Sequence, residues 1–145
     1  MNGVTFLQSL DANDPMPMAR PWQFRITKIG RGDVSATAVP TSEHENPFGV
    51  AQGGFAATVL DIALGLVSIS VLEDADSTMV ATTDLFVRYF KPIVQSTGQL
   101  QVRASIAHEQ DRLVMAEAYL HDAGGTRFAY AQSNCLIVRR EKGSS

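Results

Sequence analysis

Cysteine is almost missing from this sequence: Cys135 stands alone among 145 residues. That excludes an intramolecular disulfide and a zinc site built from cysteines, and it fits a reducing, cytoplasmic setting. Basic clusters are missing too. With 12 Lys+Arg against 15 Asp+Glu the formal charge is -3, and the electrostatic footprint of a nucleic-acid binder is lacking. No apolar run is long and unbroken, because Asp61 and several serines interrupt the longest, and MNGVTFLQSLDAND opens without a positively charged segment. Neither a membrane span nor a signal peptide is expected. No Gly-x-Ser-x-Gly elbow occurs, which argues against an α/β-hydrolase. His44, His108 and His121 fall in separate segments without ligand spacing, so no metal centre is expected. There is no internal repeat and no low-complexity tract, and the Lys142 to Ser145 tail reads as frayed.

What is present is 45% hydrophobic and 19% charged, enough for one domain, residues 1–145, with one core. Residues 3–12 read as a short amphipathic helix, closed by Pro15 and Pro17. Trp22 to Ile29 and Asp33 to Val39 alternate loosely around Gly30-Arg31-Gly32, which predicts a hairpin. Pro40 to Val50 is rich in turn formers and reads as a loop. The run from Gly53 to about Leu72 lacks proline and is too long for a strand, so it is the one long helix. Its apolar residues surround most of it, which marks a central, buried helix. The remaining stripe is Gly54, Thr58, Asp61, Gly65 and Ser68, where small side chains let another backbone approach. Four strand-like segments follow: Met79 to Phe90, Gly98 to Ala107, Leu113 to His121 and Thr126 to Val138. Breaks at Pro92, at Glu109-Gln110-Asp111 and at Asp122-Ala123-Gly124-Gly125 suit antiparallel neighbours. In the first, period two places Thr83, Leu85, Val87 and Tyr89 on one face and Thr82, Asp84, Phe86, Arg88 and Phe90 on the other. Two strands, one long helix and four strands make an α+β domain: about six antiparallel strands wrapped around one central helix.

Asp61 is the residue that most needs a reason. A carboxylate amid apolar helix residues costs several kcal/mol unless something pairs with it or solvates it. It lies on the one exposed stripe, caps a neighbouring amide, or serves chemistry. Gly53-Gly54, at the helix start, either makes a tight turn or leaves backbone N–H groups at the positive end of the helix dipole, suited to an oxygen gaining negative charge. At about 1.5 Å per residue, Asp61 is about 12 Å further along the axis. A single chain therefore cannot bring both to one carbon, whereas two helices packed antiparallel across a dyad can. Arg88 and Lys91 are candidates for phosphate contacts at the mouth of such a site, and equally read as solvated cations. Cys135, in an apolar strand, reads as a core residue.

The run Asn46-Pro47-Phe48-Gly49-Val50-Ala51-Gln52-Gly53-Gly54 through Asp61 resembles the signature of hotdog-fold thioesterases of the phenylacetic-acid-pathway type, within the hydroxybenzoyl-CoA thioesterase superfamily. In that signature an Asn is followed six residues later by His-Gly-Gly and then by Asp eight residues after the first Gly. Thr82-Thr83-Asp84-Leu85-Phe86-Val87-Arg88-Tyr89-Phe90-Lys91-Pro92 is similar to that family's strand after the helix. The resemblance implies a hotdog fold, acyl-CoA hydrolysis, and a homodimer with antiparallel helices and two shared sites, often paired into a homotetramer. It implies Asp61 as nucleophile or general base, the Gly53 amide polarising the thioester carbonyl, with Gly54 beside it in the substrate site, and Asn46 orienting the water or carboxylate. Thr82, or its neighbour Thr83, would hold the water from the partner chain. No cofactor is implied, since the helix dipole supplies the polarisation that a metal supplies elsewhere. One departure is Gln52 in place of His: it can donate a hydrogen bond but cannot exchange a proton near neutral pH. Two other functions fit the same fold, a non-catalytic acyl-CoA or acyl-chain binder and a hydratase; the second usually needs a His where Gln52 stands. The preferred acyl group depends on how Trp22, Phe55, Leu85, Phe86 and Tyr89 pack.

Overall fold

The computed structural model describes residues 1–141, and the Lys142 to Ser145 tail lies outside them. In chain order the elements are α1 (Gly3–Gln8), β1 (Arg25–Gly30), β2 (Asp33–Ala38), α2 (Gly53–Ser70), β3 (Thr78–Tyr89), β4 (Leu100–Gln110), β5 (Leu113–His121) and β6 (Arg127–Arg139). The strands form one six-stranded sheet in the order β1-β2-β4-β5-β6-β3, with every pairing antiparallel. Helix α2 lies against one face, and this arrangement is the hotdog fold.

The sheet can curl around α2 because its inner positions alternate with small residues. Ala36, Ala104, Ala116, Ala118, Ala129 and Ala131 are almost fully buried between Val34, Leu100, Val102 and Leu120, so the helix backbone nests close to the strands. From α2, Leu60, Leu64 and Leu66 fill the groove with at most 1% of their surface exposed, each worth about 1.5–3 kcal/mol of apolar burial. This packing accounts for the helix's apolarity: it is long and apolar enough to cross a membrane, yet 61% of it is buried inside the fold. The far end of α2 is locked by α1. Gly3 donates its N–H to the Leu72 carbonyl (2.8 Å), and a Cβ at Gly3 would stand 1.8 Å from the Ile69 oxygen, so only glycine permits that approach.

Several expectations are corrected. The N-terminal helix ends at Gln8, one turn short of residue 12. The segment Pro17–Trp22 is a 3-10 helix containing Pro21, and Gln23 with φ 48° breaks the chain before β1 begins at Arg25; Trp22 is therefore outside the hairpin strand. The β4–β5 turn is Asp111-Arg112, with Asp111 at φ 53°, because β4 continues through Glu109 and Gln110. Ser68 does not belong to the open stripe of α2: it is fully buried and its hydroxyl donates to the Leu64 carbonyl (2.8 Å). Finally, a β-bulge between Thr82 and Asp84 shifts the register of β3. Thr82 pairs with Cys135, Leu85 with Ser133, Val87 with Ala131 and Tyr89 with Ala129, so Thr82 shares the inner face with Leu85, Val87 and Tyr89 rather than the outer face with Asp84, Phe86 and Arg88.

Candidate active site

The segment before α2 is built around Asn46. Its side-chain oxygen accepts the N–H groups of Phe48 (2.9 Å) and Val50 (3.3 Å), and its backbone N–H donates to the Val50 carbonyl (2.7 Å). Gly49 turns with φ 75°, where a side chain would be strained. The Asn46 amide N–H groups have no acceptor among the described residues. The chain then returns beside Ile93 through the Ala51 N–H (2.8 Å), and the Gln52 N–H donates to the His44 carbonyl (2.8 Å).

Gln52 occupies the N-cap position, but its side chain does not cap the helix. The first turn therefore keeps donors free: Phe55 N–H reaches back to the Gln52 carbonyl (2.8 Å), while the N–H groups of Gly53 and Gly54 have no acceptor among the described residues. Both glycines are exposed. Nothing lies within 4 Å of where a Cβ of Gly54 would be, whereas a Cβ on Gly53 would meet the Tyr89 hydroxyl at 3.1 Å. That hydroxyl donates to the Gly53 carbonyl (2.7 Å), and partial burial raises the phenol above its ordinary pKa. Gln52, Gly53, Tyr89 and Lys91 line one side of a cleft of about 340 Å³ that reaches Val50 and Ile93.

Two turns along the same stripe, Asp61 is exposed and has neither a hydrogen bond nor an ion pair among the described residues. Desolvation by its surroundings raises its carboxyl above the usual range. Thr58, one turn before it, and Gly65, one turn after, are only half-buried, and nothing packs within 4 Å of Gly65's missing Cβ. The stripe Gly54, Thr58, Asp61, Gly65 is thus an open, unpartnered surface of a helix otherwise sunk in the sheet.

One chain brings together Gln52, Gly53, Gly54 and Lys91, with Asn46 at the base of the approaching loop. It leaves the other candidates apart. Asp61 is about 12 Å from Gly53 along the helix. Thr82, whose hydroxyl lies 3.7 Å from the Cys135 sulfur, is about 20 Å from Tyr89 along the strand. Thr83 is the bulge residue, and its hydroxyl donates to the Asn134 carbonyl (3.1 Å). Arg88 lies on the outer face opposite Tyr130, with its guanidinium 5.7 Å from the Phe86 ring centroid, so it points away from the cleft that Lys91 lines. Phe86 likewise faces outward. Sequence reasoning missed Tyr89 as a partner of Gly53, and missed the Trp22–His44–Phe55 cluster behind Gly54, in which the Trp22 indole N–H donates to the Phe55 carbonyl (3.1 Å). Among the described residues no three His, Cys, Asp or Glu side chains gather as metal ligands would.

No protein-family model matches the chain, and no curated protein matches it in sequence. Solved structures do match in fold. The S. sahachiroi protein AziG superposes with a TM-score of 0.81 at 18% identity, over 86% of this chain and 98% of that one. A Ralstonia eutropha phenylacetic acid degradation-related protein, described as a candidate thioesterase, superposes with a TM-score of 0.78 at 22% identity, over 94% and 99%. A Streptococcus mutans protein solved with acetyl-CoA bound gives a TM-score of 0.71 at 22% identity, over 82% and 91%.

Proposed function

We propose that this hotdog-fold chain is an acyl-CoA thioesterase. The observation that carries the reading is that one helix bears two amide donors without an acceptor at its start and, on its open stripe, an exposed carboxylate without a partner among the described residues. The Gly53 N–H, at the positive end of the α2 dipole, receives the thioester oxygen and stabilises the charge it gains as the carbonyl carbon becomes tetrahedral. Asp61 either takes the proton of an attacking water or attacks the carbonyl itself, giving an anhydride that water opens. In both routes the carbon–sulfur bond breaks, CoA leaves as the thiol after receiving a proton, and the acyl group leaves as the free acid. Gln52 and the free amide of Asn46 supply neutral hydrogen-bond donors beside the reacting carbonyl.

The spacing of about 12 Å between helix start and carboxylate supports a site to which they come from different chains. Two further features support a homodimer: the stripe of small residues on α2, and β3, an edge strand whose one partner among the described residues is β6 and which, with the following Phe90, exposes Leu85, Phe86 and Tyr89, all four by 39% to 52%. An edge of that length and apolarity invites pairing with a second copy.

Release of CoA thiol from a panel of acyl-CoAs, with wild type beside Asp61→Asn, tests the reading. Hydrolysis that falls by at least about 10²-fold in the variant is expected for loss of a positioned base. A fully active Asn variant would sink the mechanism. If no ester is consumed while several raise the melting temperature, the chain is an acyl-CoA binder instead.

A further inference from the structure

Phe48 is the most exposed large apolar side chain among the described residues, with 89% of its surface open. Its backbone is nonetheless fixed. Glu45 and Ala51 pair as the two sides of a short antiparallel turn, the Asn46 side chain accepts the Phe48 N–H (2.9 Å), and the Gly49 N–H donates to the Asn46 carbonyl (3.0 Å). A ring carried on such a turn loses little entropy when it docks, as interface anchors require. The turn stands beside the C-terminal end of β3, where Val50 shares a cleft with Tyr89 and Ile93.

At the opposite end of β3 lies a groove that suits such a ring. Phe6 of α1, Ile69 and Leu72 at the end of α2, Ala75, and Met79 of β3 line it, and Arg140 joins them. Its volume of about 200 Å³ falls below the roughly 300 Å³ at which small-molecule clefts begin, so it suits a side chain better than a ligand. Met79 is 45% exposed, and its thioether, like the Arg140 guanidinium, is a favourable neighbour for an aromatic ring. Ile69 is half-buried and stands one turn beyond Gly65, so the groove lies at the end of the open stripe that carries Asp61.

In the dimer proposed above, Gly53 of one chain meets Asp61 of the other and the helices run antiparallel, so the residues ahead of Gly53 arrive on the Ile69 side of that Asp61. Ile69 is about 12 Å beyond Asp61 along the helix. Phe48 precedes Gly53 by a stretch of chain that spans at most about 17 Å, so the ring reaches that far. Antiparallel pairing of β3 with its copy brings the same two places together, the Tyr89 end of one strand and the Thr78 end of the other. We infer that Phe48 of each chain seats in this groove of its partner. The ring belongs to the chain that supplies Gly53 and the groove to the chain that supplies Asp61, so each contact ties together the two halves of one site. Phe48 is thus a positioning residue, setting the helix-start amides against the carboxylate. The inference rests on the shared-site thioesterase reading.

Exchange of tagged against untagged subunits measures the contact, and release of CoA thiol measures its consequence. Phe48→Ala, at an exposed position outside the core, should exchange at least about 10-fold faster than wild type, the scale of an interface anchor. Met79→Ala, on the groove side, should also exchange faster, and the double variant should be little faster than Phe48→Ala because both remove one contact. At concentrations that keep it dimeric, Phe48→Ala should lower kcat by about 10-fold with KM little changed, and Phe48→Leu, which keeps an apolar side chain, should recover most of the loss. Exchange unaltered by Phe48→Ala, or two effects that multiply in the double variant, would overturn the contact and leave the thioesterase reading standing. Faster exchange with kcat unchanged would overturn the positioning role. A wild type that stays monomeric would overturn the contact and the shared site together. Exchange that depends on Phe48 without CoA release from any acyl-CoA would overturn the thioesterase reading and leave the contact in place.

Discussion

Asp61 is raised above the ordinary carboxylate range by desolvation, with no cation or donor holding its charge among the described residues. Two consequences follow at neutral pH. A carboxylate that acts as base or nucleophile must be ionised, so the acid limb of kcat/KM should fall with a midpoint above the ordinary aspartate value of about 3.9. A midpoint at or below that value would mean the titrating group is another one. For stability, the native chain holds this proton more tightly than the unfolded chain between the ordinary pKa and the raised one. Asp61 therefore costs the fold stability as pH rises through that window, and the full cost persists above it. Asp61→Asn removes the cost, so at pH 7 the variant should unfold at the same or a higher urea concentration than wild type. A clear drop would reveal a stabilising partner. Asp61 was legible in the sequence because a single carboxylate in an apolar run contradicts its surroundings. Trp22 and Phe55 were legible as candidate pocket residues, but their contact was not, because Trp22 reaches Phe55 across 33 residues of chain and local periodicity carries no trace of such contacts.

The tie between β3 and α2 belongs to the scale of elements. β3 is the last strand of the sheet, and its end is fixed to the helix start by the Tyr89 hydroxyl on the Gly53 carbonyl. Loss of that hydroxyl frees the first turn to tilt, and with it the amides proposed to receive the oxyanion. Tyr89→Phe keeps the ring, so substrate affinity should change little while kcat falls by roughly ten-fold, the scale of one net hydrogen bond. An unchanged kcat would mean the helix start needs no such tie. Apart from the break at Pro92, which does not join neighbours because β3 pairs with β6 and β4 lies between β2 and β5, the chain order of the strands and the long helix were readable from periodicity and turn residues, with boundaries within a few residues. Two things were not. The 3-10 turn at Pro17–Trp22 runs through apolar residues that resemble a strand start. The bulge at Thr83 leaves sequence alternation intact while moving Thr82 to the other face, since only pairing with β6 decides which residue is extra.

At the scale of the whole molecule the question is whether a single chain holds a complete site. The stripe of α2 and the free edge of β3 lie open, and the helix start and carboxylate are two turns apart, too far to serve one carbonyl in the same chain. A dimer with antiparallel helices solves this by pairing the Gly53 end of one chain with Asp61 of the other, and that arrangement has an arithmetic signature. Asp61→Asn disables the carboxylate; Gly53→Val, whose first side-chain carbon would stand 3.1 Å from the Tyr89 hydroxyl, disables the helix start. Each variant alone should be nearly inactive. After unfolding and refolding together in equal amounts, half of the dimers pair one variant with the other. In each of these, one site receives both lesions and the other receives none. The mixture should therefore recover about a quarter of wild-type activity if sites are shared across a two-fold interface. If each site lies within one chain, every site keeps its own lesion, and the refolded mixture stays as inactive as its parents.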